Sequence, residues 1–351
     1  MTATPSHDKE KGKNAQPLFF VNGFVDISMI SGISLLFAAL LYTASLDHLA
    51  PILPYWAIFL SYFFAWPHVA MTNSQFYGSH HTRNQFPVTA YLLPFVLLLM
   101  VLSAFYYPLL VAPLFIKLFI LWAPYHFSEQ TLRITYLYAK KAGYPITKAE
   151  KSALWAFIFG TFIAATIAAE SVREGGSFYG ISYPGFGVPL WLREVSEFLL
   201  LGGGVFFLVL FTRNLFKLKK FYLLFLLLPA ITHYIWFLAM AHMPLFGSFI
   251  PVFHGLQYMF IAWCFHLKGK NIELNAKGSL AIKLKETFRF YAINFALGWA
   301  LFWGLPFLGV TKGFPLALAT GIFISAIQIH HFFIDALLWR IRNKDPLVPL
   351  T

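Results

Sequence analysis

Apolar runs of about 20 residues recur along the whole chain, separated by short segments rich in Pro, Gly and Lys or Arg. A run of that length crosses a bilayer as an α-helix. Continuous runs are also the wrong pattern for a membrane barrel, whose strands alternate apolar and polar residues. Ten spans are expected, at 24–45, 52–74, 88–107, 109–139, 152–170, 196–213, 221–242, 247–266, 287–308 and 314–341. Composition agrees: 59% of residues are hydrophobic and 11% are charged, whereas a soluble domain carries about 25% charged residues. The fold class that follows is all-α, a polytopic integral membrane helical bundle of about ten transmembrane helices.

Loop charge orients the bundle. With the N-terminus inside, cytoplasmic segments hold 20 Lys and Arg, whereas outer loops hold 3, namely Arg173, Arg193 and Lys312. The bias alternates loop by loop, as the positive-inside rule requires for an even span count with both termini cytoplasmic. The net charge of +12 is a product of this distribution and implies no nucleic-acid partner. Residues 1–20 are expected to form a disordered cytoplasmic tail, 21–342 a single transmembrane domain and 343–351 a second tail. The first apolar run, 24–42, is too long for a signal-peptide core and reads as a retained helix. Cys264 is alone, so no internal disulfide forms. The segment 175–189, rich in Gly, Pro and aromatics, reads as a lid, a re-entrant piece or a connector.

Histidine is the unusual residue. Twelve occur, and counting from the span ends puts His68, His126, His233, His330 and His331 within a few turns of the midplane, with His254 nearer the outer side. Ionisable groups at that depth are costly unless they pair, coordinate something or line a wet cavity. Imidazole suits iron, copper and zinc, and a ligating histidine usually donates its other ring N–H to a carboxylate or carbonyl. Glu129 follows His126 by three residues, and Asp335 follows His331 by four, on one helix face. Either acid is placed to orient a histidine or to ligate. Arg133, four residues after Glu129, is placed to neutralise it instead. Gln257 lies within a turn of His254, beside Tyr258. Three readings of the histidines stand open: a metal site, core histidines hydrogen-bonded to neighbouring helices, and a proton or ion path through a transporter. A haem-binding or structural subunit is a further alternative. Phosphate-loop, zinc-protease and nucleophile-elbow motifs are absent.

Four short boxes resemble those of the Brp/Blh-type bacterial membrane proteins, the β-carotene-cleaving dioxygenases that make retinal. Pro67-His68-Val69-Ala70-Met71-Thr72 is similar to that family's early P-H-G-x-x-D box. His126-Phe127-Ser128-Glu129 is similar to its H-F box followed by an acid, Phe253-His254 to its F-x-H segment, and His330-His331-Phe332-Phe333-Ile334-Asp335 to its final P-H-x-x-x-x-D box. The first box here lacks the glycine and the aspartate. Gln257-Tyr258 stand where the family places a second histidine, a role that leaves His233 and His242 as the alternatives. The resemblance implies iron (Fe2+) as cofactor, with His68, His126, His254 and one more histidine as ligands. It also implies O2-dependent cleavage of a lipid-soluble, carotenoid-like substrate in a bacterial inner membrane.

Overall fold

The computed structural model describes residues 18–43, 50–218, 221–272 and 280–344. It is an all-helical, polytopic bundle. In chain order the elements are α1 (Gly23–Thr43), α2 (Leu53–Phe63), α3 (Ala65–Gly78), the short α4 (His80–Gln85), α5 (Val88–Tyr106), α6 (Val111–Lys141) and α7 (Lys148–Glu170). A two-stranded hairpin follows, β1 (Gly176–Phe178) and β2 (Ile181–Tyr183), and then α8 (Leu190–Leu218), α9 (Leu228–His242), α10 (Ile250–Gly269), α11 (Leu280–Thr311) and α12 (Leu316–Lys344). Helices α9 and α10 are each preceded by a 3-10 segment, Phe221–Leu227 and Pro244–Phe249. Among the described residues, nine spans are long and apolar enough to cross a membrane. Of the expected tails, residues 1–17 and 345–351 lie outside the described residues.

The span expected over 52–74 is divided: α2 and α3 meet at Phe64, whose φ of −122° departs from helical values. The cause is local. Pro67 has no N–H for the Phe63 carbonyl, and its ring crowds that carbonyl. The released oxygen accepts a hydrogen bond from Tyr291 Oη at 2.9 Å instead. Two glycines let neighbouring helices close on the break. A Cβ at Gly255 would lie 2.7 Å from Phe64 O, and one at Gly298 would lie 2.9 Å from the Trp66 carbonyl carbon. Small residues at such crossings are how membrane helices approach backbone to backbone. Thus α3 is held between α10 and α11 and also meets α12, which in turn packs along α6. These contacts bring four distant parts of the chain around one point.

Segment 175–189 contains the hairpin, with Phe178 paired to Ile181 and Gly176 to Tyr183. Tyr179 (φ 48°) and Gly180 (φ 76°) form the turn, the doubly left-handed geometry that suits the twist of a two-residue hairpin. The turn residues are exposed, whereas Phe178 and Ile181 beside them pack inward. Ile181 Cδ1 would lie 2.8 Å from a Cβ at Gly321, and the Phe178 ring is 5.3 Å from Phe119. A buried ion pair, Lys117 with Glu170, sits at its base. There the Phe186 N–H donates to Glu170 Oε2 at 3.1 Å, and the Lys117 ammonium lies 4.7 Å from the Phe186 ring centre.

Candidate metal centre

His68 enters from the first turn of α3, His126 from the middle of α6, His254 from the second turn of α10 and His331 from α12. All four are buried, at 1–4% exposure. Backbone and ring contacts fix them. Thr72 Oγ1 donates to His68 O at 3.2 Å, and Gln130 Nε2 on α6 donates to His254 O at 3.0 Å, tying two of the contributing helices together. The His68 ring stacks on Tyr258 at 4.4 Å and 15°. His126 stacks on Phe332 at 4.5 Å and 25°, and Phe127 lies 4.6 Å from the His254 ring.

The four rings point their Nε2 atoms at one another. His68 Nε2 is 2.8 Å from His331 Nε2, His331 Nε2 is 3.2 Å from His126 Nε2, and His126 Nε2 is 3.0 Å from His254 Nε2. One ligand atom from each residue lies within 4.8 Å of every other. A neutral imidazole nitrogen has one in-plane site, either a proton or a lone pair. In the row His68–His331–His126–His254 the two middle nitrogens, on His331 and His126, each face two neighbours. Hydrogen bonding therefore satisfies two of the three contacts and leaves the third unmet. A cation at the common point accepts all four lone pairs. Metal–imidazole bonds of about 2.0–2.1 Å place adjacent ligand nitrogens about 2.9–3.4 Å apart, close to the three distances seen. The widest pair is looser than a single coordination sphere. The four-histidine group is thus a buried cluster that could hold a metal ion.

The other singled-out residues are placed differently. His330 points away from its neighbour, with Nε2 2.8 Å from Tyr77 Oη. His233 sits between two hydroxyls of α6, its Nε2 3.2 Å from Ser128 Oγ and its Nδ1 3.2 Å from Thr131 Oγ1. Neither joins the cluster; both are core histidines bonded to neighbouring helices. Glu129 is taken by Arg133, whose Nε donates to it at 2.7 Å. Gln257 turns to α1, donating to Ile30 O at 2.6 Å. Tyr258 touches the cluster through its ring. Asp335 Oδ2 lies 3.8 Å from His126 Nδ1, beyond hydrogen-bond reach but the nearest acid to a clustered imidazole. Sequence reading overlooked Lys117 and Asp26, both buried. The signal was there, since each is a charge inside an apolar run.

Comparison with models of known families, with curated proteins and with solved structures finds no match to this chain.

Proposed function

We propose that the cluster of His68, His126, His254 and His331 binds iron, and that the chain is a membrane-embedded non-haem oxygenase acting on a lipid-soluble, carotenoid-like substrate. The observation that carries this reading is the convergence of four Nε2 atoms from four helices, with contacts that hydrogen bonds alone leave unsatisfied. Four neutral imidazoles suit iron, copper or zinc. The choice of iron, like that of substrate, rests on the likeness of the four boxes to Brp/Blh-type sequences.

The chain's own residues have distinct tasks in this reading. The four imidazoles would hold the ion, which would supply O2 binding and activation. Tyr258 and Phe332 keep the His68 and His126 rings in orientation by stacking, which limits the reorganisation needed on binding. Phe127 and Phe332 also add apolar surface beside the imidazoles. Phe178 and Ile181 of the hairpin pack inward from the other side. Four rings aimed at one point leave no plane for a porphyrin, so haem fits poorly.

The test is expression of the chain in bacterial cells that accumulate β-carotene, with aerobic growth and extraction of pigment. Loss of β-carotene with the appearance of aldehyde products, abolished in His126→Ala, is the expected result. Unchanged pigment in cells that hold iron-loaded protein would overturn the substrate. Iron-free protein would overturn the chemistry and leave the proton-coupled transporter as the better reading.

A further inference from the structure

Buried polar groups are spread unevenly about the four-imidazole layer. Toward the helix ends opposite the basic loops, Ile324 and Ile327 of α12 pack with Val69 and Phe302 against the hairpin's Phe178, and the buried polar groups at the hairpin base are paired as Lys117 with Glu170. Phe246, Phe249 and Phe253 fill the neighbouring space. Toward the basic loops, unpaired polar groups are set among apolar side chains such as Ile30, Leu137 and Ile261. Beyond His126 along α6 come Gln130, Thr131, Thr135 and Tyr138, each at most 1% exposed. Facing them are Gln257 on α10, and Asp26 and Ser31 on α1, equally buried.

Several of these groups lack a protein partner. Gln130 Oε1, Gln257 Oε1, Ser31 Oγ and His254 Nδ1 are buried without a hydrogen bond. Such orphans are rare in folded proteins and call for bound water. Room for it exists. A cavity of about 10 Å3 is lined by Asp26, Ser31 and Tyr138 among apolar neighbours. That is near the least volume that admits one water, and it offers the two or more polar partners a buried water needs. The Asp26 carboxylate at this point is fixed by Phe20 N–H at 2.7 Å, Val21 N–H at 3.0 Å and Tyr138 Oη at 2.9 Å. Helix α1 departs from α-helical bonding at the π-turn Ser28–Gly32, which contains Ser31. Ile30 O within that turn takes the Gln257 amide N–H, so the Gln257 oxygen is the end left over. His254 lies three residues before Gln257, on the same face of α10. Its Nδ1 and the Gln257 oxygen are thus two unpartnered polar atoms on one helix face.

We propose that a file of buried water joins the basic face to the four-imidazole pocket, running past Asp26, Ser31 and Gln257 to His254. The traffic is water. Metal ions are disfavoured at this mouth, because the Lys141 ammonium lies 4.4 Å from the ring of Phe20, whose N–H donates to Asp26. The proposal does not depend on a bound metal.

Radiolytic hydroxyl-radical labelling of the purified full chain tests it, since radicals born from bound water mark buried side chains beside them. Each residue is normalised to an exposed one of its own type between spans, Tyr107 or Phe186, at 55% and 66% exposure. Tyr138 and Tyr258 should label within about tenfold of Tyr107, whereas Phe246 and Phe249, equally buried, should be slower than Phe186 by more than that. Silence at both tyrosines overturns the file. Ser31→Val, which fills the cavity, should suppress labelling of Tyr138. Undiminished labelling in that folded variant also overturns it, and if the variant does not fold the wild-type rates still decide.

Discussion

His68 and His331 stand 263 residues apart in the chain, yet their Nε2 atoms are 2.8 Å from each other. That contact exists because α3 restarts at Phe64 with His68 in its first turn, and because α12 packs directly against α3. His330, one residue earlier on α12, is turned about 100° around the helix and bonds Tyr77.

The division between His331 and His330 gives the first prediction. His330→Phe and His233→Leu should keep the metal content of wild type, whereas His331→Phe should lose most of it. Elemental analysis of the three purified variants, alongside helicity by circular dichroism, checks this.

Much of the architecture was legible in the sequence. Run length gives ten spans, and nine of them are long and apolar enough among the described residues, because lipid forces apolar segments to be continuous and helical; the tenth, 52–74, is the one divided at Phe64. Four of the six histidines singled out do meet. The other two could not be separated from them, since sequence gives depth in the bilayer but not the rotation of each helix about its axis. His233 is at the right depth but faces Ser128 and Thr131. The break at Phe64 had a visible cause in Pro67, but a proline in the first turn of a helix reads the same as one inside a longer span. The hairpin was harder still: Tyr179-Gly180 marks a turn, but only the packing of Ile181 near Gly321 shows that a strand residue beside it reaches into the bundle.

Packing at the Phe64 break is predicted to be intolerant of volume. A Cβ at Gly255 would lie 2.7 Å from Phe64 O. Gly255→Val should cost about 1–3 kcal/mol through overpacking, and by parting α10 from α3 it should lower metal content as well. Thermal unfolding in detergent and metal analysis of the same sample report both effects.

The Lys117–Glu170 pair is buried on both sides. Removing one member leaves an uncompensated charge, so Lys117→Met or Glu170→Gln alone should destabilise by about 3–5 kcal/mol. The double variant should recover much of that loss, because no lone charge remains. A double-mutant cycle by denaturant unfolding measures the difference.

Tyr291→Phe removes the donor to Phe63 O. A buried carbonyl left without its partner should cost about 1–3 kcal/mol, and the melting temperature should fall accordingly with the metal still bound.

The most direct test of the account is the metal content of the purified full chain beside that of the His68→Ala/His331→Ala variant. The account predicts about one ion per wild-type chain, the same helicity in both proteins, and at least a tenfold drop in the variant. Wild-type protein that carries no metal, and whose melting temperature does not move when Fe2+ or Zn2+ is added, would contradict it.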